Sequence, residues 1–278
     1  MLPRWTENDL TVNGARLHYC RTGRGEKRPM VLLHGFSDNG LCWAPAARDL
    51  ESDYDVIMPD ARAHGRSERM RPGEEIDLTS DAAEIIRALG LRRPVVAGHS
   101  MGAMTAYQVG VRFPELAGAL VLEDPPWILP QPVQDPIPQS VEEIPMVTWA
   151  IKLPDQTLEE LLEQNRKEHP GWSEELVRLL SESKKQLDPA IVYPLMEEVH
   201  IRETEWLKTI RNVACPMLII TGDPALGGLV TPEVVAKIRE LNPAAAVVNV
   251  PDAGHLIRFD EYAAFLEALR AFLKRVGY

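Results

Sequence analysis

The chain has 278 residues, 45% of them hydrophobic and 26% charged. This is the composition of an ordinary globular protein, long enough to bury a full core. Thirty basic residues against forty-one acidic ones give a formal charge of −11, which argues against nucleic acid or an anionic membrane as partner, since both need a basic surface.

In chain order, DLTVNGARLHYCRTG reads as two alternating runs around Asn13-Gly14, a strong hairpin signal. PMVLLHG, residues 29 to 35, is continuously apolar, as a strand covered on both faces should be. A helical segment from Leu41 to Leu50 follows, then a buried strand over 54 to 60 (YDVIMPD) and a periodic helix from Asp77 to Leu89 that stops near Gly90. RPVVAG (93 to 98) predicts a strand, Ser100 to Phe113 a helix, and AGALVLED (117 to 124) another strand. CPMLIITGD (215 to 223) and AAAVVNVPDAGH (244 to 255) add two more, with helices over 232 to 241 and 260 to 274. Strands alternating with helices require crossover connections and a mainly parallel sheet, so the fold class is α/β with helices on both faces.

One segment breaks the alternation. Residues 125 to 208 contain no buried-strand run and open on the proline-dense PPWILPQPVQDPIPQ, which excludes regular structure. Amphipathic helical patterns follow, with apolar positions at Leu158, Leu161, Leu162, Leu176, Val177, Leu179 and Leu180 that need a surface to pack on. The expected organisation is therefore a first part of the core over 1–124, a helical lid over 125–208 and the rest of the core over 209–278.

Cys20, Cys42 and Cys215 are too scattered for a disulfide framework, and none sits in a C-x-x-C pair. No metal site is expected from them. The N-terminus MLPRWTENDL has no basic region followed by an apolar run, and no stretch approaches eighteen uninterrupted apolar residues. Neither a secretory signal nor a membrane span is expected, and the expected location is cytoplasmic.

Gly98-His99-Ser100-Met101-Gly102 matches G-x-S-x-G between a predicted buried strand and a predicted helix. A sharp strand-to-helix turn there would strain the central residue and present its hydroxyl above a helix N-terminus, whose free N–H groups favour developing negative charge. Ser100 is the candidate nucleophile. A serine hydroxyl is weak at neutral pH and needs a base. Seven histidines are available: 18, 34, 64, 99, 169, 200 and 255.

On LLHGFSDNG, PDARAHGRS, GHSMG and VPDAGH, the chain resembles the α/β-hydrolases of the lidded esterase and lactonase type. The resemblance covers nearly the whole length and is weakest in the lid. Ala63 departs from it, where many relatives carry glycine. The resemblance places the catalytic base at His255, the oxyanion hole at the backbone N–H groups of Phe36 and Met101, and structural roles on His34 and His64. His99 is expected to point away from Ser100.

The acid of the triad has two candidates. Relatives commonly carry it in G-x-x-D after the penultimate strand, but here the loop reads Gly222-Asp223-Pro224-Ala225, with Ala225 at the usual position. Either Asp223 serves from an earlier position, or the acid sits at the end of LVLED. Certain haloalkane dehalogenases and zearalenone-type lactonases keep it there, which corresponds to Asp124. Alternation turns the neighbouring Glu123 the other way.

The resemblance implies an ester or lactone hydrolase acting on a small molecule through an acyl-enzyme, with no cofactor and no metal. A serine at the elbow argues against dehalogenase and soluble epoxide hydrolase chemistry, since the families that do it carry an aspartate there. A carbon–carbon bond hydrolase is the enzymatic alternative; a ligand receptor or a pseudoenzyme with a slow triad is the non-enzymatic one. The candidate substrate-binding residues are Trp127, Ile128, Met146, Trp149 and Met196, with Leu129 beside them, and the expected substrate is medium-sized and largely apolar.

Overall fold

A computed structural model describes residues 5–130, 143–196 and 199–278, without the side chains of 199–203. Its strands are β1 (Thr6–Val12), β2 (Ala15–Arg21), β3 (Arg28–Leu33), β4 (Tyr54–Pro59), β5 (Val95–His99), β6 (Ala119–Glu123), β7 (Met217–Thr221) and β8 (Ala246–Asn249). They form one sheet in the order β1-β2-β4-β3-β5-β6-β7-β8. β1 and β2 pair antiparallel across a two-residue turn, with Asn13 and Gly14 both at positive φ (47° and 75°). β2 joins β4 antiparallel, and all remaining pairs are parallel.

The helices are α1 (Ala44–Leu50), α2 (Leu78–Ala88), α3 (Met101–Arg112), α4 (Pro145–Ala150), α5 (Leu158–Glu168), α6 (Glu174–Gln186), α7 (Val192–Met196), α8 (Val199–Thr209), α9 (Pro232–Leu241), α10 (Ile257–Asp260) and α11 (Tyr262–Arg275). Strand alternation assigns the two faces of the sheet. Val31, Leu33, Val96 and Ile219 pack with α2, α3 and α9. Met30, Leu32, Val95, Ala97, Leu218 and Ile220 pack with α1 and α11 on the other side. Burial on both faces is why these strands read as unbroken apolar runs. Cys20, Cys42 and Cys215 are buried free thiols.

The helices between β6 and β7 build a core of their own. Val147, Ala150, Leu161, Ile191 and Leu195 cluster with Ala63, and Phe36 and Met101 pack against them. Leu161, Leu162, Val177 and Leu180 are buried, while Leu158, Leu176 and Leu179 are half-buried. Ala63 takes the left-handed conformation (φ 65°) that glycine would adopt freely. Its carbonyl accepts from Asp188 N–H at 2.8 Å, which ties this loop to the inserted helices. The proline-dense stretch expected over 125–139 is described only as far as Pro130, where it is irregular; residues 131–142 lie outside the described part of the chain. Among the described residues no helix is long and apolar enough to cross a membrane.

Candidate active site

Strand register brings the predicted residues together. Leu33 pairs with Gly98, and His99 with Glu123, so β3, β5 and β6 end side by side. The loop carrying Phe36, the nucleophile turn and Asp124 therefore leave the sheet next to one another at its carboxyl edge.

Ser100 stands at φ 51°, ψ −115°, a conformation that costs about 1–3 kcal/mol and persists because its neighbours impose it. Its N–H donates to the Glu123 carbonyl at 3.0 Å. Neither flanking glycine can be replaced. A Cβ on Gly98 would lie 2.1 Å from the Gly102 carbonyl oxygen, and one on Gly102 would lie 2.2 Å from that of Leu33. Met101 opens α3, so its N–H has no acceptor within the helix.

The two acid candidates separate clearly. Asp124 Oδ2 lies 2.6 Å from His255 Nδ1. The same carboxylate accepts from Leu229 N–H at 2.8 Å and Val230 N–H at 3.2 Å, and it is fully buried. These two amides fix its plane and compensate part of its desolvation. Asp124 is itself at φ 42°. Asp223 instead caps the short turn after β7, accepting from Ala225 N–H at 2.8 Å. The loop that vacates the usual acid position thus supplies, through Leu229 and Val230, the amides that hold Asp124.

His34, His64 and His99 make structural bonds. His34 Nδ1 lies 2.8 Å from the Gly35 carbonyl and Nε2 accepts from Ala61 N–H at 2.9 Å, which fixes its tautomer. His64 Nδ1 lies 2.9 Å from the Arg62 carbonyl, and burial pushes its pKa down to about 3. His99 turns away from the cavity. Its Nε2 bonds the His255 carbonyl at 3.0 Å, and burial, with Arg258 nearby, holds its pKa below the ordinary value.

Behind this histidine pair lies a buried charge cluster that sequence reading missed. Arg258 bonds Glu123 at 3.0 Å and Asp38 at 3.2 Å. Asp38 is 3.8 Å from His99 Nδ1. Burial opposes ionisation of Asp38, but His99 and Arg258 outweigh it and keep the carboxyl below the usual range. Each member lies within three residues of a site residue: Glu123 of Asp124, His99 of Ser100, Asp38 of Phe36, Arg258 of His255. Closeness in sequence to the predicted residues was the one available signal.

A cavity of about 790 Å³ opens onto Ser100 and His255. Phe36, Met146 and Met196 line it, with Met101, Met104, Leu195 and Leu229, while Asp77, Gln108, Arg112 and Glu205 supply polar lining. The last four were not expected. The helical spacing of Met104, Gln108 and Arg112 after Ser100 was the signal that could have found Gln108 and Arg112.

Three expected substrate-binding residues do not line this cavity. Trp127 is fully buried in the main core, stacked on Trp206 with centroids 5.1 Å apart and edge-on to Tyr107 at 4.9 Å. Ile128 is partly exposed, and its carbonyl accepts from Trp206 Nε1 at 3.2 Å. Trp149 packs on Phe36 at 6.3 Å with the Lys184 ammonium 5.8 Å above its ring, one layer behind the cavity wall. Leu129 packs on the main core. An apolar residue in an inserted segment must satisfy the core before it can face a ligand, and aromatic rings have the most area to bury.

Comparison with known proteins agrees with this architecture. Residues 30–268 match the model of the "Alpha/beta hydrolase family". The chain is 30% identical over 273 residues to N-formylmaleamate deformylase of Pseudomonas putida, covering 95% of each chain. It is 25% identical over 257 residues to 2-(acetamidomethylene)succinate hydrolase of Mesorhizobium japonicum, covering 90% of this chain and 89% of the relative. The solved enol-lactonase of Burkholderia xenovorans shares the fold, with a TM-score of 0.75 at 21% identity over 96% of this chain and 100% of that one. With its strand order, its elbow and these matches, the chain belongs to the alpha/beta hydrolase family.

Proposed function

We propose that the protein is a serine hydrolase that cleaves a carboxylic ester or lactone through an acyl-enzyme. The observation that carries this reading is the buried Asp124 carboxylate 2.6 Å from His255 Nδ1, beside a strained Ser100 that opens on the same cavity. Asp124 holds the ring with Nδ1 protonated, leaving Nε2 as the base. Ser100 Oγ attacks the substrate carbonyl while His255 takes its proton. The oxyanion is held by the N–H groups of Phe36 and Met101. His255 returns the proton to the leaving oxygen, which departs as an alcohol or, in a lactone, stays attached as a hydroxyl. Water, deprotonated by His255, then attacks the acyl-enzyme and releases the carboxylic acid and Ser100. In this reading residues 125–208 are a lid, and Pro126, Met146, Leu195, Met196 and Glu205 are residues of it that face the cavity.

An amide is the second bond to consider. The names of two relatives denote an N-formyl and an acetamido substrate, and the same acyl-enzyme serves if His255 protonates a leaving nitrogen. The test is hydrolysis of p-nitrophenyl butyrate by the wild type and by Ser100→Ala, with a fluorophosphonate label located by mass spectrometry. Turnover that falls to background in the variant, with the label on Ser100, supports the reading. Equal activity in both proteins overturns it.

A further inference from the structure

The wall of the cavity has a direction. From α3 it takes Met101, Met104, Thr105, Gln108, Val111 and Arg112. These positions follow Ser100 by 1, 4, 5, 8, 11 and 12, a single helical face over the full length of α3. Twelve residues at 1.5 Å each make this groove about 18 Å long. Its two ends differ. Next to Ser100 on α3 stand the thioethers of Met101 and Met104, and Met146 and Met196 line the same cavity. Methionine adapts to a flexible chain better than a branched side chain does. At the far end Arg112 grips Asp77 with both terminal nitrogens, at 2.8 and 2.6 Å, and these side chains are 41% and 45% exposed. The groove therefore runs from the nucleophile, along a mostly apolar wall in which Thr105 and Gln108 are the polar side chains from α3, to a hydrated charged rim.

We infer that the groove along α3 is a binding site for a long unbranched acyl chain, whose carbonyl sits at Ser100 and whose far end reaches the Asp77–Arg112 pair. An extended chain advances about 1.2 Å per bond, so about fifteen bonds span the whole groove and about eleven carry the chain to its last turn, where Arg112 meets water. Short acids leave most of the groove unfilled. A chain ending in a carboxylate gains little from Arg112, because Asp77 already holds its fork and Glu205 lines the same cavity.

This inference rests on the acyl-enzyme reading, and one experiment separates the two. It measures kcat/KM for p-nitrophenyl esters from butyrate to tetradecanoate, each below its micelle concentration, for the wild type and for Val111→Trp and Gln108→Trp, either of which would fill the groove partway. The expected result is a rise of at least about tenfold from butyrate to the ten- to twelve-carbon esters, then a plateau, since every buried methylene adds to binding. Either tryptophan should move the break to shorter chains and lower the dodecanoate-to-butyrate ratio at least about fivefold. A flat or falling series in the wild type, or a break that neither tryptophan moves, overturns the chain site alone. Absence of turnover at every length overturns the hydrolase reading and the chain site with it.

Discussion

Asp124 and His255 are 131 residues apart in the chain and 2.6 Å apart in the fold. The contact exists because β6 ends beside β7 and β8 follows β7, so loops distant in sequence meet at one edge of the sheet. If it orients the imidazole, Asp124→Asn should lower kcat by about a hundredfold or more, because the amide favours the wrong tautomer. Asp223→Asn should change kcat by less than about threefold, since asparagine caps a turn as well as aspartate does. Hydrolysis of p-nitrophenyl butyrate by the two variants, side by side, checks this.

The elbow glycines give a stability prediction. Gly98→Ala and Gly102→Ala each force a Cβ into a backbone carbonyl 2.1–2.2 Å away. Backbone cannot rotate aside as a side chain can. Each variant should lose more than about 3 kcal/mol or fail to accumulate as folded protein, which urea denaturation would show.

Arg258 joins two buried carboxylates, those of Glu123 and Asp38. Arg258→Met leaves both without their cation, and such a loss costs about 3–5 kcal/mol. Adding Glu123→Gln to that variant should recover part of it, because one stranded charge is gone. A double-mutant cycle of denaturation free energies measures the coupling; strict additivity would show that the pair does not interact.

Three buried histidines predict acid sensitivity. Burial keeps His34, His64 and His99 below the ordinary histidine value of 6.5, His64 at about 3. In this range the folded chain binds fewer protons than the unfolded chain, so their contribution is complete above 6.5 and is lost as the pH falls from there toward 3. The melting temperature should decline steadily between pH 7 and pH 4.5. A flat profile across that window would contradict the assignment of neutral rings.

Trp127 and Met146 are both apolar residues of the segment between β6 and β7, and the structure divides them. Trp127→Ala should cost about 3–5 kcal/mol through the void left beside Trp206 and Tyr107. Met146 lines the cavity and is 37% exposed. Met146→Ala should raise KM for acyl esters with little change in melting temperature. Calorimetry and steady-state kinetics on the two variants distinguish core from cavity.

The chain by itself determined the alternation of strands and helices, the Asn13-Gly14 hairpin, the elbow at Ser100 and the helical nature of the segment after Asp124. These are local: a fully covered strand must be apolar throughout, and a left-handed turn or an elbow needs glycine or asparagine at fixed offsets. Alternation also turned Glu123 away from Asp124, and Glu123 does face Arg258 on the other side. The choice between Asp124 and Asp223 was open, because both are aspartates at the ends of neighbouring strands. Only the packed loops decide which carboxylate meets His255 and which amides hold it. The same holds for the cavity wall. Hydrophobicity marks Trp127, Trp149 and Met196 alike, but whether an apolar side chain fills a core or faces an empty groove depends on what the rest of the chain places against it.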